Sequence, residues 1–465
     1  MGVFDRMQAF ANEDFEDGSE VVTAEDASEV VIKVSEVEDP EAGVVEGEIA
    51  EIKEEIDTAE RDIEELEQKA EAAEAFAEAV EAFAAEGGME PQAARLIHTQ
   101  MSSLMANCGV ESYALAAENF QGTAARARNT EPALEAISDT IKKVWEFIKQ
   151  IATKVWNFIK ELWSKISFQA QRIKARTIKV MNAANSLKGH SADVEVKVGG
   201  NSYLYIGNDF IGQSEKGLEA MVNFLKAQSS YTDALGSMAG AIRGAAANGA
   251  KDDDVKSEIT TILRTIPAIT RAGTKVTQAP LSGDTVVRLP VLPGNKTIFT
   301  SIPEDSKTED VPASIKTLRK LNSIFASDPA TKTTTKKDKV KVSNANQIKQ
   351  RMGKVGQFLS NYESAKGQVD SLNKAFAAMV KVNPDGVDSK ATILKVVRQA
   401  VTTIRKLACG PVAGANAHIL SSVGAYVNFA AREISVLAKD KKKGGSKDGK
   451  KPSEGGNGDN LPANA

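Results

Sequence analysis

The most regular pattern of hydrophobic and polar positions in the chain lies in residues 137–166. Apolar side chains recur there every three or four positions and form one stripe: Ile141, Val144, Ile148, Ile151, Val155, Ile159, Leu162 and Ile166. Lysines fill much of the remaining surface, and the apolar and aromatic spacing of 144–149 returns at 155–160. Because eleven residues make nearly three helical turns, the two copies share a face. The pattern predicts a long amphipathic helix.

Weaker periodic patterns predict several more helices. These are predicted over residues 48–86, 214–245, 253–265, 311–326, 343–382 and 388–438. The last helix is expected to be interrupted near Gly410 and Pro411, because proline lacks the backbone N–H that a helix interior requires.

Alternating residues predict a small amount of β-structure. Segments 194–198 and 203–206 flank a Gly-Gly-Asn turn and are expected to form a β-hairpin, and segments 285–289 and 297–301 are expected to form a second pair of strands. Residues 331–341, rich in Thr and Lys, predict a surface loop.

The fold class that follows is mainly α, with helical bundles, a small β-hairpin or sheet insertion, and disordered acidic N-terminal and basic C-terminal tails. Five parts are expected along the chain. They are an acidic segment at 1–86 that is partly disordered with a helix at 48–86, a helical domain at 87–188, a mixed β and helix region at 189–310, a long-helix region at 311–438 and a disordered tail at 439–465.

Charge is divided very unevenly between these parts. Residues 1–86 contain 29 acidic and 5 basic residues, a net charge of −24. The rest of the chain contains 34 acidic and 53 basic residues, a net charge of +19, so the overall value of −5 hides two oppositely charged pieces. Loss of the first piece would therefore change which partners the protein attracts.

Catalytic motifs are missing from the sequence. It has no P-loop, no nucleophile elbow and no paired-histidine metal motif, and its two cysteines and three histidines are widely separated. The sequence therefore predicts a protein that is not an enzyme, with no cofactor, no metal and no small-molecule substrate.

Two features allow more than one interpretation. All three tryptophans, Trp145, Trp156 and Trp163, lie beside the apolar stripe, so helix 137–166 is either a core helix of a bundle or an interfacial helix that contacts a membrane or a partner. Basic stretches at 172–179, 331–341 and 439–451 are candidates for non-specific contact with DNA phosphates. In the first of them the candidate residues are Arg172, Lys174, Arg176 and Lys179.

The end of the acidic segment is a candidate cleavage site. Ala84 and Glu86 precede Gly87, and a small residue two positions before a glutamate suits a protease that accepts an acidic residue before the cut bond. An ordinary helix end, stopped by glycine, explains the same residues. The reversal of charge at this place favours the cleavage interpretation.

Several of these segments together resemble internal head proteins of large tailed myoviruses. The resemblance rests on residues 4–15, the Glu-rich helix, residues 101–120 with Cys108-Gly109-Val110-Glu111-Ser112, and the Trp/Ile/Lys helix; it covers roughly residues 1–180. It implies that the acidic segment directs a precursor into the prohead with the scaffold core. It also implies that the prohead protease cuts after the glutamate of a small-or-apolar-x-Glu site, here formed by Ala84 and Glu86 before Gly87. Alanine at the first position departs from the Ile or Leu preference of T-even phages and is closer to that of giant phages.

The leading hypothesis from sequence is therefore a structural internal head protein. It would be made in the bacterial host cytoplasm, processed in the prohead, kept inside the virion with non-specifically bound double-stranded DNA, and in some cases ejected with that DNA. The alternative is a membrane-active effector that acts on the host membrane through helix 137–166.

Overall fold

The computed structural model describes residues 130–199, 201–247, 263–303, 311–364 and 391–445, together with residues 260, 261, 377 and scattered positions between 47 and 82. The expectations for the first 46 residues, for 83–129 and for the tail beyond 445 lie outside these residues.

Six α-helices, one short 3₁₀ helix (Ser202–Leu204) and eight strands make up the continuously described regions. The helices are α1 (Thr130–Ser186), α2 (Lys216–Ala247), α3 (Ile266–Arg271), α4 (Val311–Lys320), α5 (Ala345–Ser364) and α6 (Ala391–Gly445). The strands are β1 (Glu195–Lys197), β2 (Tyr205–Ile206), β3 (Asp209–Phe210), β4 (Thr274–Val276), β5 (Thr285–Arg288), β6 (Lys296–Ile302), β7 (Asn322–Ser327) and β8 (Lys339–Lys341). The predicted fold class, mainly α with small antiparallel sheets, is confirmed.

Helix α1 contains the whole of the predicted amphipathic segment and continues for another five turns. In its second half, buried residues follow the helical period: Leu162, Trp163, Ile166, Ala170, Ile173, Val180, Ala183 and Ala184. This face packs on α5 and α6. The periodic stripe therefore belongs to a helix whose apolar side faces the protein core.

Helix α6 is the centre of the structure. It packs against α1, α2, α4, α5, β6 and β7. All ten residues from 396 to 405 are buried, which no amphipathic surface helix shows. One continuous apolar core collects side chains from these elements around α6.

The interruption expected at Pro411 is wrong, because α6 continues through this residue. Proline removes the N–H that would bond to the carbonyl of Leu407, four residues earlier. In this protein the hydroxyl of Tyr231, on α2, donates a hydrogen bond of 2.9 Å to that carbonyl. Burial raises the pKa of Tyr231 to about 12, because the charged form is disfavoured away from water.

The four-stranded antiparallel sheet has the order β4-β5-β6-β7. The predicted pairing of 285–289 with 297–301 is confirmed by the register of β5 with β6, in which Val287 lies opposite Thr300. The helix predicted over 311–326 is wrong in its second half. It ends at Lys320, because the following residues pair with β6 as strand β7.

The hairpin predicted between 194–198 and 203–206 is also wrong. Strand β1 pairs with the distant β8, and β2 pairs with β3 across Gly207 and Asn208. The partner of β1 is set by burial, because Val196 and Val340 lie opposite each other and pack in a second apolar cluster with α6. Alternation in sequence predicted a strand here but carried no information on its partner.

The remaining helices largely follow the predictions. Helix α2 confirms 214–245, and α5 and α6 fall within or close to the two long predicted segments. Of the helix predicted over 253–265, the described residues 260, 261 and 263 are helical, and the separate helix α3 follows.

We predict that Tyr231→Phe lowers the free energy of unfolding by about 1–3 kcal/mol, because it leaves a buried carbonyl without a donor. In a Pro411→Ala background the alanine N–H replaces the missing donor, so the same tyrosine substitution should cost at least about 1 kcal/mol less. Denaturant unfolding of the four proteins measures this coupling.

Tyr362→Phe is the matched control, since this buried hydroxyl donates to Asn416 Oδ1 rather than to a backbone carbonyl. Its cost should not depend on residue 411. Equal costs of Tyr231→Phe with proline and with alanine at 411 would refute the proposed compensation.

Candidate nucleic-acid interface

Exposed lysines are concentrated on the loop that leads into β8 and on the strand paired with it. We call these side chains the lysine ribbon; its members are Lys197, Lys332, Lys336, Lys337, Lys339 and Lys341, all exposed. In residues 331–341 the only carboxylate is Asp338. The ribbon is therefore a strongly cationic strip.

The loop is held in place by side chains from neighbouring turns. Asn208 Oδ1 accepts hydrogen bonds from the backbone N–H of Thr334 (2.8 Å) and of Thr335 (3.1 Å). Asn295, at a φ of 60°, accepts from the N–H of Gly207 (2.6 Å) and donates to Thr333 Oγ1 (2.7 Å). The threonine-rich part of the loop is thus fixed by inward contacts.

Lys337, two residues after Thr335, anchors the loop to the second apolar cluster. The buried Tyr205 accepts a hydrogen bond from the N–H of Lys337 (2.9 Å) and donates one to its carbonyl (3.1 Å). These bonds use both the N–H and the carbonyl of Lys337, although the residue as a whole is exposed to solvent. The lysines are consequently presented on a fixed backbone rather than on a free loop.

The paired strands β1 and β8 place two of these charges side by side. Lys197 lies directly opposite Lys339, while the valines between the charged residues face the core. Like charges in cross-strand positions destabilise a sheet, and an anion bound between them would relieve this cost.

One lysine of the ribbon already has an acidic partner. Lys341 Nζ lies 2.9 Å from Asp193 Oδ1, and both side chains are largely exposed. The hydrogen bond and the charge of Lys341 lower the pKa of Asp193, and the same contact raises the pKa of Lys341. Both groups therefore stay charged at neutral pH.

The C-terminal part of α6 extends the basic surface. The exposed Arg432 lies beside β1, where a Cβ at Gly199 would sit 3.4 Å from its Nη1. Further along α6, Lys439, Lys441 and Lys442 are exposed, and Asp440 Oδ2 lies 3.3 Å from His190 Nε2. Lys439–Lys442 belong to the third basic stretch found in the sequence.

The four residues first considered for DNA contact lie on α1. Arg172, Arg176 and Lys179 share one helical face, whereas Lys174 points to another side because it is only two positions away from its neighbours. Arg172 lies 5.8 Å from the ring centroid of Phe168, and Lys179 is exposed. These side chains all make polar or electrostatic contacts within the protein. They form a basic surface on a separate element from the ribbon.

The tryptophans occupy different environments. Trp163 is buried in the main core, and Trp156 is half-buried, with Lys160 Nζ 4.0 Å from its ring centroid. Trp145 belongs to the first part of α1. The burial of Trp163 agrees with the core-helix interpretation. Among the described helices, none is both long and apolar enough to cross a membrane.

The candidate cleavage residues Ala84, Glu86 and Gly87 lie outside the described residues. The described positions between 51 and 82 that precede them are helical. Ile52 and Ile56 of this segment are buried in the main core.

Sequence reasoning identified the basic loop but missed Lys197, which the pairing of β1 with β8 brings beside it. It also missed Arg432, which lies there because α6 packs against β1. It also missed the anchors Asn208, Asn295 and Tyr205. Little in the sequence marks these residues. Each asparagine directly follows a glycine, but Gly-Asn pairs are common in turns and do not identify an anchor.

A family model described as phiKZ-like phage internal head proteins matches residues 51–432 of the chain. This span includes the lysine ribbon and most of α6. No curated protein matches the chain. No solved structure matches it.

We predict that Asn208→Ala frees the loop without unfolding the protein. The backbone amides of Thr334 and Thr335 lose their acceptor, so their hydrogen exchange should become at least about tenfold faster. The global free energy of unfolding should fall by no more than about 1 kcal/mol, since the site is exposed. Hydrogen exchange with site-resolved detection measures both effects.

Asn185→Ala is a suitable control, because its side chain accepts only from Lys349 Nζ in the described contacts, away from this loop. Unchanged exchange at 334 and 335 in Asn208→Ala would show that the asparagine does not hold the loop.

Proposed function

The chain belongs to the family of phiKZ-like phage internal head proteins, and we propose that it is a structural, non-enzymatic protein of the head interior that associates with the packaged genome. In this proposal the protein is made in the host cytoplasm as a precursor. It enters the prohead with the scaffold core, is cut by the prohead protease, remains with the double-stranded DNA and leaves with it during infection.

The observation that carries the DNA-binding part of this proposal is the lysine ribbon. Its lysines lie on a backbone fixed by Asn208, Asn295 and Tyr205, and two of them, Lys197 and Lys339, face each other across the paired strands. A row of cations on a fixed backbone matches the repeated charge of a phosphate backbone.

The chemistry of the ribbon favours non-specific binding. Lysine is a point charge on a flexible stem and does not read a base edge with the fixed geometry of arginine or asparagine. The loop that carries the ribbon also has threonines that could hydrogen-bond to bases, but one of them, Thr333, is used to hold the loop. We therefore propose contacts with phosphates, independent of sequence.

The distribution of charge supports a precursor role for residues 1–86. With a net charge of −24, this segment repels DNA, and the remainder with +19 attracts it. A cut between Glu86 and Gly87 would convert an acidic chain into a basic one once the capsid shell has formed.

We predict that replacing Lys197 and Lys339 with glutamine weakens binding to random-sequence duplex DNA. The logarithm of the binding constant should depend less steeply on the logarithm of salt concentration, with the slope reduced by about 1 to 2, because each lost phosphate contact contributes about 0.9. Fluorescence anisotropy between about 50 and 200 mM salt provides this slope.

The matched control removes two exposed lysines elsewhere, Lys226 on α2 and Lys275 on β4. It changes the net charge equally and should leave the slope nearly unchanged. If both pairs reduce the slope to the same extent, the ribbon is not the interface.

We further predict that mature particles contain a chain that begins at Gly87. Mass spectrometry of purified virions should recover this new N-terminus, with few peptides that cross the bond from Glu86. Proheads from phage with an inactive protease should contain the uncut chain. Crossing peptides at full abundance in virions, with no terminus anywhere in 60–90, would refute processing in this region.

A further inference from the structure

The acidic N-terminal segment is in contact with the folded part of the protein through both apolar and charged residues. Ile52 and Ile56 are 4% and 5% exposed and belong to the main core. Further along the same acidic segment, the carboxylate of Glu71 forms ion pairs with two arginines of the folded part. Its Oε1 lies 3.2 Å from Nη2 of Arg319 and 3.8 Å from Nη2 of Arg398.

These two arginines lie on adjacent elements, α4 and α6. Arg319 is half-exposed, and its Nε donates a 3.0 Å hydrogen bond to Gln399 Oε1, which fixes the guanidinium beside α6. The side chain of Arg398 is only 4% exposed. Burial of an arginine at this level is costly unless an anion accompanies it, and Glu71 supplies one.

A third arginine extends the same surface. Arg405 follows Arg398 by seven residues on α6, so both project from nearly the same side of the helix. It is 6% exposed. Thr402 lies between them on this side and is also buried. A stripe of cationic and polar side chains therefore runs along a part of α6 that is closed to solvent in the full-length chain.

We propose that this stripe, formed by Arg319, Arg398 and Arg405, is a second binding surface for DNA phosphates, which the acidic segment covers in the precursor. The carboxylate of Glu71 occupies the place of a phosphate oxygen. Arginine suits this role because its planar guanidinium binds carboxylates and phosphates in the same forked geometry. The proposal rests on the proposed function and adds the residues through which the precursor is kept from the genome.

Cutting the chain after Glu86 does not by itself remove the cover. Burial of each isoleucine side chain stabilises the docked segment. The cut does change the competition, because a tethered segment rebinds at a high effective concentration and a severed one does not. DNA at the density of a filled head then displaces the segment, and its phosphates bind the arginines.

The test uses the full-length chain with the substitution Glu71→Gln. Loss of the carboxylate removes the ion pairs of Glu71 with Arg319 and Arg398 and so weakens the cover. Affinity for random-sequence duplex DNA should therefore rise by about fivefold at 100 mM salt, the upper range for a partly exposed ion pair. Glu64→Gln is the matched control, since Glu64 is exposed on the same helical segment and its loss changes the net charge equally. It should change affinity by less than about twofold.

A second set of variants identifies the surface that DNA contacts. A specific protease site is inserted after Glu86 in the full-length protein, which is folded and then cut, and both pieces stay in the mixture so that DNA competes with the severed segment. In this cut protein, Arg319→Gln should weaken DNA binding by about threefold to fivefold. In the uncut protein the same substitution should have little effect. Arg319 is half-exposed, so its replacement is compatible with folding, which circular dichroism checks.

The outcomes separate this inference from the proposed function. A larger gain for Glu71→Gln than for Glu64→Gln, with a loss for Arg319→Gln in the cut protein only, supports the covered surface. Equal effects of the two glutamate substitutions, while the lysine ribbon still governs binding, refute the covered surface alone. Absence of DNA binding by the cut protein refutes both.

Discussion

A helix with many buried polar groups requires its neighbours to provide partners for them, and α6 imposes this requirement on the structure around it. At Pro411 the helix lacks an N–H, and Tyr231 of α2 provides the donor for the carbonyl of Leu407. One turn later, Asn416 accepts a hydrogen bond of 2.8 Å from Tyr362 of α5. Helices α2 and α5 are therefore bound to α6 by specific polar contacts as well as by apolar packing.

The same requirement positions the candidate interface. Glu433 of α6 is fully buried and forms an ion pair with the buried Arg351 of α5. Its other oxygen accepts hydrogen bonds from Gln213 Nε2 (2.7 Å) and from the N–H of Ser343 (2.9 Å). Gln213 also donates to the carbonyl of Lys341, 2.6 Å away. The residues on both sides of β8 are thereby fixed to α6, and the lysines of β8 acquire defined positions.

Charge is organised by position as well as by sequence. The lysine ribbon lies on the outside of the protein, whereas Arg319 and Arg398 face the acidic N-terminal segment. In the proposed function the protein assembles with a scaffold before it meets densely packed DNA, and one exposed and one covered basic surface would respond differently to these two stages. In that proposal the exposed surface would provide a weak, salt-sensitive attraction to DNA, and the covered surface would add to it after processing.

Local features of the sequence determined much of this protein. The 3.6-residue period predicted α1 and α2, alternation and turn residues predicted the pairing of β5 with β6, and residue counts located the charge reversal near Glu86. These features depend on neighbours within a few residues. Only the tertiary structure decided that β1 pairs with β8, that α6 continues through Pro411, that Trp163 is buried and that Glu71 reaches Arg398. Each depends on residues far apart in sequence, whose contact is selected by packing around a common core and leaves no local periodic signal.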